Sequence, residues 1–185
     1  MRALVRPFAL ILPLLAVPTL AVQAARSTAI LRPPASVFTL PPTAVGGPLG
    51  VLSSTRTLPR NADGMLRQTF YTTASGSVSY YVWIFSSSGG ATRHDTASFL
   101  CTRCTITYVI QQRGARGWVK AVTNGVVGAN KANQAWTGTT FRNLGLEVTV
   151  TTAGAASSVN GTITKAEGLL RLLVARAQAY AAQHP

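Results

Sequence analysis

Hydrophobic and polar positions follow two different periods along this chain, and each period predicts a different kind of element. In 77–85, SVSYYVWIF, Val78, Tyr80, Val82 and Ile84 alternate with Tyr81, Trp83 and Phe85. A period of two predicts a β-strand, and because both faces are apolar the strand is expected to be central and covered on both sides. MLRQTFYTT (65–73) precedes it across Ala74-Ser75-Gly76, a link of hairpin length. TITYVIQQ (105–112) and GWVKAVTN (117–124) flank a second hairpin at 113–116. LGLEVTVTT (144–152) sets Leu146, Val148 and Val150 against Glu147, Thr149 and Thr151, and GVLSSTRTL (50–58) reads as an edge strand. Short links between strands predict an antiparallel sheet of about five to six strands.

The period changes after residue 163. Ala166, Leu169, Leu170, Leu173, Val174, Ala177, Tyr180 and Ala181 form one stripe at helical spacing, with Arg171 and Gln178 opposite. Thr164-x-x-Glu167 matches a capping box and is expected to start this helix. Asn160-Gly161-Thr162 matches a glycosylation acceptor, but Asn-Gly is first a turn signal. The predicted class is α+β, an antiparallel sheet packed against one long C-terminal helix. That helix covers one face of the central strand, so something else must cover Tyr81, Trp83 and Phe85. The connections 86–104 and 125–143 are the candidates, the second with a short helical lid carrying Trp136. If instead that face stays open, Tyr81, Trp83, Phe85 and Trp136 are the expected lining of an apolar ligand site.

The first 25 residues have a different character. Arg2 and Arg6 precede an apolar run from Phe8 to Val22, and Val22-Gln23-Ala24 places small residues at a signal-peptidase site. The run is interrupted by Pro13 and Pro18 and is too short to span a membrane. Residues 1–25 are therefore expected to be a cleaved signal peptide, with no transmembrane span in the mature chain. The protein is then exported to the periplasm, the cell envelope or the outside. Six of the ten prolines fall between residues 26 and 60. Residues 26–49 are accordingly predicted as an extended tether, and 50–185 as a single globular domain.

Charge adds a partner class. The formal net charge is +13, from 17 Lys and Arg against four acids. Scattered basic residues on an exported surface attract an anionic polymer or lipid of the envelope, and nucleic acid is a further candidate partner. The expected anion-binding set is Arg67, Arg93, Arg103, Arg113, Arg116, Lys120 and Arg142, with Tyr108 or Trp118 as stacking platforms for bases.

The only two cysteines, Cys101 and Cys104, lie just before the 105–112 strand. A thioredoxin-like dithiol would sit at a helix N-terminus after a strand. A c-type haem needs His after the second Cys, and position 105 is Thr. Structural zinc needs four ligands, which the two thiols and two histidines barely supply. In an oxidising compartment the expectation is a local disulfide staple, with no metal and no cofactor. A disulfide needs its Cα atoms within about 7 Å, so Cys101 must lie in a turn, for which Asp95 is a candidate N-cap through TASFL. A hydrolase is the least supported class. There is no G-x-S-x-G elbow, acid–base chemistry would have to come from two His and four acids, and nothing positions a triad through His94. The leading expectation is an exported, non-enzymatic binding domain, with a lipid or hydrophobic-ligand carrier next.

Overall fold

Strand formers dominate from Gly50 to Ala153, and helix formers take over at the C-terminus. The computed structural model describes residues 29–45, 50–56, 64–71, 76–100, 106, 108–127, 130–153 and 158–185. The strands are β1 (Gly50–Arg56), β2 (Gly64–Tyr71), β3 (Ser77–Ile84), β4 (Ile110–Gly114), β5 (Gly117–Val127), β6 (Asn130–Phe141) and β7 (Leu144–Ala153). The helices are α1 (Ser88–Leu100) and α2 (Val159–Gln183). One sheet runs β1-β2-β3-β7-β6-β5-β4, with every neighbouring pair antiparallel. The fold is α+β, a sheet packed against the C-terminal helix, with seven strands among the described residues rather than five or six. β3 and β7 pair directly although α1 and three strands separate them in sequence.

The strand missed by periodicity is β6. Residues 125–143, expected to be a connection with a helical lid, are the end of β5 and the whole of β6. NKANQAWTGTTF carries small and polar residues on both faces, so no apolar alternation marks it. It is instead held by close approach of its neighbour. A Cβ on Gly138 would stand 2.5 Å from the Trp118 ring, and one on Gly117 (φ 129°) would stand 2.3 Å from the Gly138 carbonyl oxygen. Only glycine fits either position.

The main core lies between the sheet and α2. Val78, Tyr80 and Val82 of β3 and Leu144, Leu146, Val148 and Val150 of β7 meet Ala166, Leu169, Leu170, Leu173, Ala177 and Ala181. The helical stripe read from the sequence is the face that packs. Its start lies earlier than expected. Ser158, not Thr164, is the N-cap, its hydroxyl accepting from the Gly161 N–H at 3.0 Å, so Asn160-Gly161-Thr162 forms the first helical turn.

Residues 29–45 are not an extended tether. Leu31, Phe38 and Leu40 are buried in the same core, on the α2 side. Their backbone is tied down by side chains from distant elements. The Tyr80 hydroxyl donates to the Phe38 carbonyl at 2.7 Å and accepts from the Leu40 N–H at 3.0 Å. Arg176 donates to the Val37 and Thr39 carbonyls, and the Asn143 amide holds both the N–H and the carbonyl of Leu31. Prolines that rule out a central strand are compatible with this irregular, side-chain-bonded path.

On the second face, α1 of the 86–104 connection packs against β5, β6 and β7. The Ser87 hydroxyl accepts from the Gly90 N–H at 3.1 Å at the start of the helix. Its buried residues are Ala91 and Asp95 alone. Phe85, wholly buried, packs with Ala91 and Trp83. Among the described residues no helix is long and apolar enough to cross a membrane. The expected signal peptide, Arg103 and the Cys101–Cys104 staple lie outside the described residues.

Candidate functional site

Register places one row of side chains across the second face. Arg67 on β2 is opposite Tyr81 on β3, which is opposite Glu147 on β7. The row continues through Gly138 on β6 and Trp118 on β5 to Arg113 on β4. α1 lies over the part of this row that runs from β7 to β4, and two consecutive helical residues reach down to different parts of it. His94 meets the β3–β7 side and Asp95 the β5–β4 side.

Asp95 is 6% exposed. Its Oδ1 accepts from the Trp118 indole at 2.8 Å and its Oδ2 from Arg113 Nη2 at 2.5 Å. Burial raises its carboxyl above the usual carboxylate range, although the Trp118 bond and the Arg113 charge pull the other way. The expectation that Asp95 caps a turn is corrected: it lies within α1 and anchors the helix to the sheet. Lys120, expected at the surface as an anion contact, is 4% exposed. It turns inward, donates to the Ser98 carbonyl at 2.6 Å and stands 5.0 Å from the Tyr108 ring and 5.1 Å from the Trp118 ring. A cation at the last carbonyls of a helix is favourable. Desolvation lowers the Lys120 ammonium below its ordinary pKa, with Glu147 partly offsetting it.

The His94 ring stands 4.4 Å from Trp83 and 5.3 Å from Phe85. Its Nε2 is 3.1 Å from Glu147 Oε1 and 3.4 Å from the Ser98 hydroxyl. A Ser–His–acid relay needs the hydroxyl and the carboxylate on opposite ring nitrogens, one to take the proton and one to orient the ring. Here both approach the same nitrogen, so Ser98, His94 and Glu147 are not arranged as a relay. The acids that sequence separation left unconnected do converge, since Asp95 lies in α1 and Glu147 on β7 meets its neighbour His94. The sequence hint was the adjacent His94-Asp95 pair in a stretch otherwise almost free of charge.

The chain is similar in fold to a solved structure, the extracellular domain of PknH from Mycobacterium tuberculosis. The TM-score is 0.52 at 11% sequence identity, and the match covers 76% of this chain and 94% of that one. The likeness is of fold alone. No family model matches the chain, and no curated protein matches it in sequence.

The remaining expected site residues divide by exposure. Of the apolar set, Phe85 is buried beneath α1, whereas Tyr81, Trp83 and Trp136 stay half-buried. Trp136 meets Tyr108 edge-on at 5.9 Å. Trp118 is 4% exposed and its indole is engaged by Asp95, so it offers no free face to a nucleic-acid base. Of the basic set, Arg93 and Arg116 are exposed, and Arg113 is exposed while bound to Asp95. Arg67 lies 5.5 Å from the Tyr81 ring centroid, and Arg142 sits in the β6–β7 turn at φ 53°, 6.0 Å from the Phe141 ring.

Proposed function

We propose that this protein is an exported, non-enzymatic binding domain whose basic outer surface associates with an anionic polymer or lipid head group of the cell envelope. The observation that carries this reading is the placement of the acids. Asp95 is buried and bound by Arg113 and Trp118, and Glu147 lies inward against His94. Among the described acids only Glu167 lies outside this cluster, and its nearest cation is Arg171 at 4.0 Å. Asp95 engages Arg113, and Lys120 is itself buried, but Arg32, Arg93, Arg116 and Arg171 remain exposed and Glu167 is the one described acid outside the cluster. Such a surface attracts polyanions over a distance set by screening. The signal-like N-terminus supports export. So does the fold shared with PknH, in which it forms an extracellular domain.

The test is binding to vesicles of phosphatidylglycerol and to single-stranded DNA as salt rises from about 50 to about 200 mM. Affinity for at least one of these is expected to fall steeply, and paired Arg93→Glu and Arg116→Glu substitutions are expected to weaken it further without lowering the melting temperature. No binding of either probe at low salt would overturn the reading.

A further inference from the structure

Three polar atoms on neighbouring strands of the second face have no hydrogen-bond partner: Arg67 Nε, Trp83 Nε1 and Glu147 Oε1. Arg67, Tyr81 and Glu147 are successive register partners across β2, β3 and β7, and Trp83 follows Tyr81 on the same side of β3. The Tyr81 and Trp83 rings lie 6.1 Å apart and within 16° of parallel. All four residues are half-buried rather than sealed, while the three atoms themselves are shielded from solvent. His94 Nε2 stands 3.1 Å from Glu147 Oε1 without a hydrogen bond between them. Each such unmet group carries an uncompensated desolvation cost. The element that packs beside Trp83 and Glu147 through His94, α1, buries only Ala91 and Asp95 and begins Ser88-Gly89-Gly90, so little apolar contact opposes its displacement.

We propose that Arg67, Tyr81, Trp83 and Glu147 form a binding recess for a neutral, polyhydroxylated ring, the chemistry of an uncharged sugar unit. Two donors and one acceptor are offered around two aromatic faces. A hydroxyl group both donates and accepts, so adjacent hydroxyls of one ring can serve all three atoms, and the ring's C–H face can lie on Tyr81 or Trp83. The Glu147 carboxylate repels an anion in this recess, which distinguishes it from the outer surface. Entry requires α1 and the side chains over these atoms to shift.

The probe is a panel of neutral oligosaccharides: cellohexaose, maltohexaose, mannohexaose and chitohexaose. They are titrated into the full chain at about 0.5 M NaCl, where charge-driven binding is screened. Tryptophan fluorescence and saturation-transfer NMR report binding. At least one oligosaccharide is expected to bind saturably and independently of salt. Arg67→Met keeps the stem over Tyr81 and removes the donor, and Trp83→Phe keeps a ring and removes the indole N–H. Each is expected to weaken binding about tenfold, the scale of one hydrogen bond, with circular dichroism melts confirming a folded chain. Saturable binding of none of the four would overturn the proposal. So would wild-type affinity in folded Arg67→Met and Trp83→Phe, or binding by glycine betaine in place of the sugars. Salt-sensitive binding at the outer surface stands or falls separately.

Discussion

Tyr80 shows how one side chain can serve the core and the chain's path at once. Its ring is among the largest fully buried groups, and burial pushes its phenol up to about 12. The hydroxyl therefore stays protonated, free to donate to Phe38 while accepting from Leu40. Tyr80→Phe removes both bonds with little change in volume and is expected to destabilise the protein by about 1–3 kcal/mol, measured by urea unfolding. A loss below the error of that measurement would show that the Tyr80 bonds add nothing to what Arg176, Asn143 and the apolar side chains already hold. Asp95 presents the opposite balance. Because burial raises its carboxyl, the folded chain holds that proton more tightly than the unfolded chain does. Its contribution to stability is thus fully present below about pH 4, the unfolded value, and is lost as pH rises through the raised folded value. Asp95→Asn leaves an oxygen for the Trp118 indole and abolishes the titration. The change in unfolding free energy between pH 4 and pH 7 is expected to shrink in this variant, and an unchanged pH profile would assign the dependence to other groups.

At the scale of elements, legibility followed the chemistry of each interface. α2 and β7 pack apolar stripes against one another, so Leu169, Leu173, Leu146 and Val148 announced them. β6 and α1 are held by other means. β6 depends on Gly138 admitting the Trp118 ring, and α1 on Asp95 meeting Arg113 and Trp118, His94 meeting Glu147, and Lys120 of β5 donating to the Ser98 carbonyl. Neither device has a period, which is why one was read as a lid and the other as a connection. The site was legible only in pieces. Tyr81 and Trp83 could be assigned a shared face, but their juxtaposition with Arg67 and Glu147 depends on strand order, which local pattern does not encode. The polar seating of α1 has a dynamic counterpart. Backbone amides of residues 91–100 are expected to exchange with deuterium faster than those of α2 residues 166–177, since opening α1 uncovers little apolar surface. Equal protection of the two helices in hydrogen-exchange mass spectrometry would count against α1 as the mobile cover of the recess.

For the whole molecule, the distribution of charge and the path of the chain are separate matters. Under the proposed function, the exposed arginines draw polyanions without specifying the fold. The path has a temporal consequence. β1 to β3 form one meander and β4 to β7 another, and each strand in them pairs with its neighbour in sequence; only the β3–β7 seam joins distant parts. Local pairings carry a small loop-closure cost, whereas that seam must await the last strand. As the chain emerges from its N-terminus, β3 shows an open backbone edge and an apolar face until β7 and α2 have followed. For most of its synthesis the nascent protein is therefore a half-sheet with an exposed template edge, the kind of intermediate that invites aggregation and calls for a chaperone's protection.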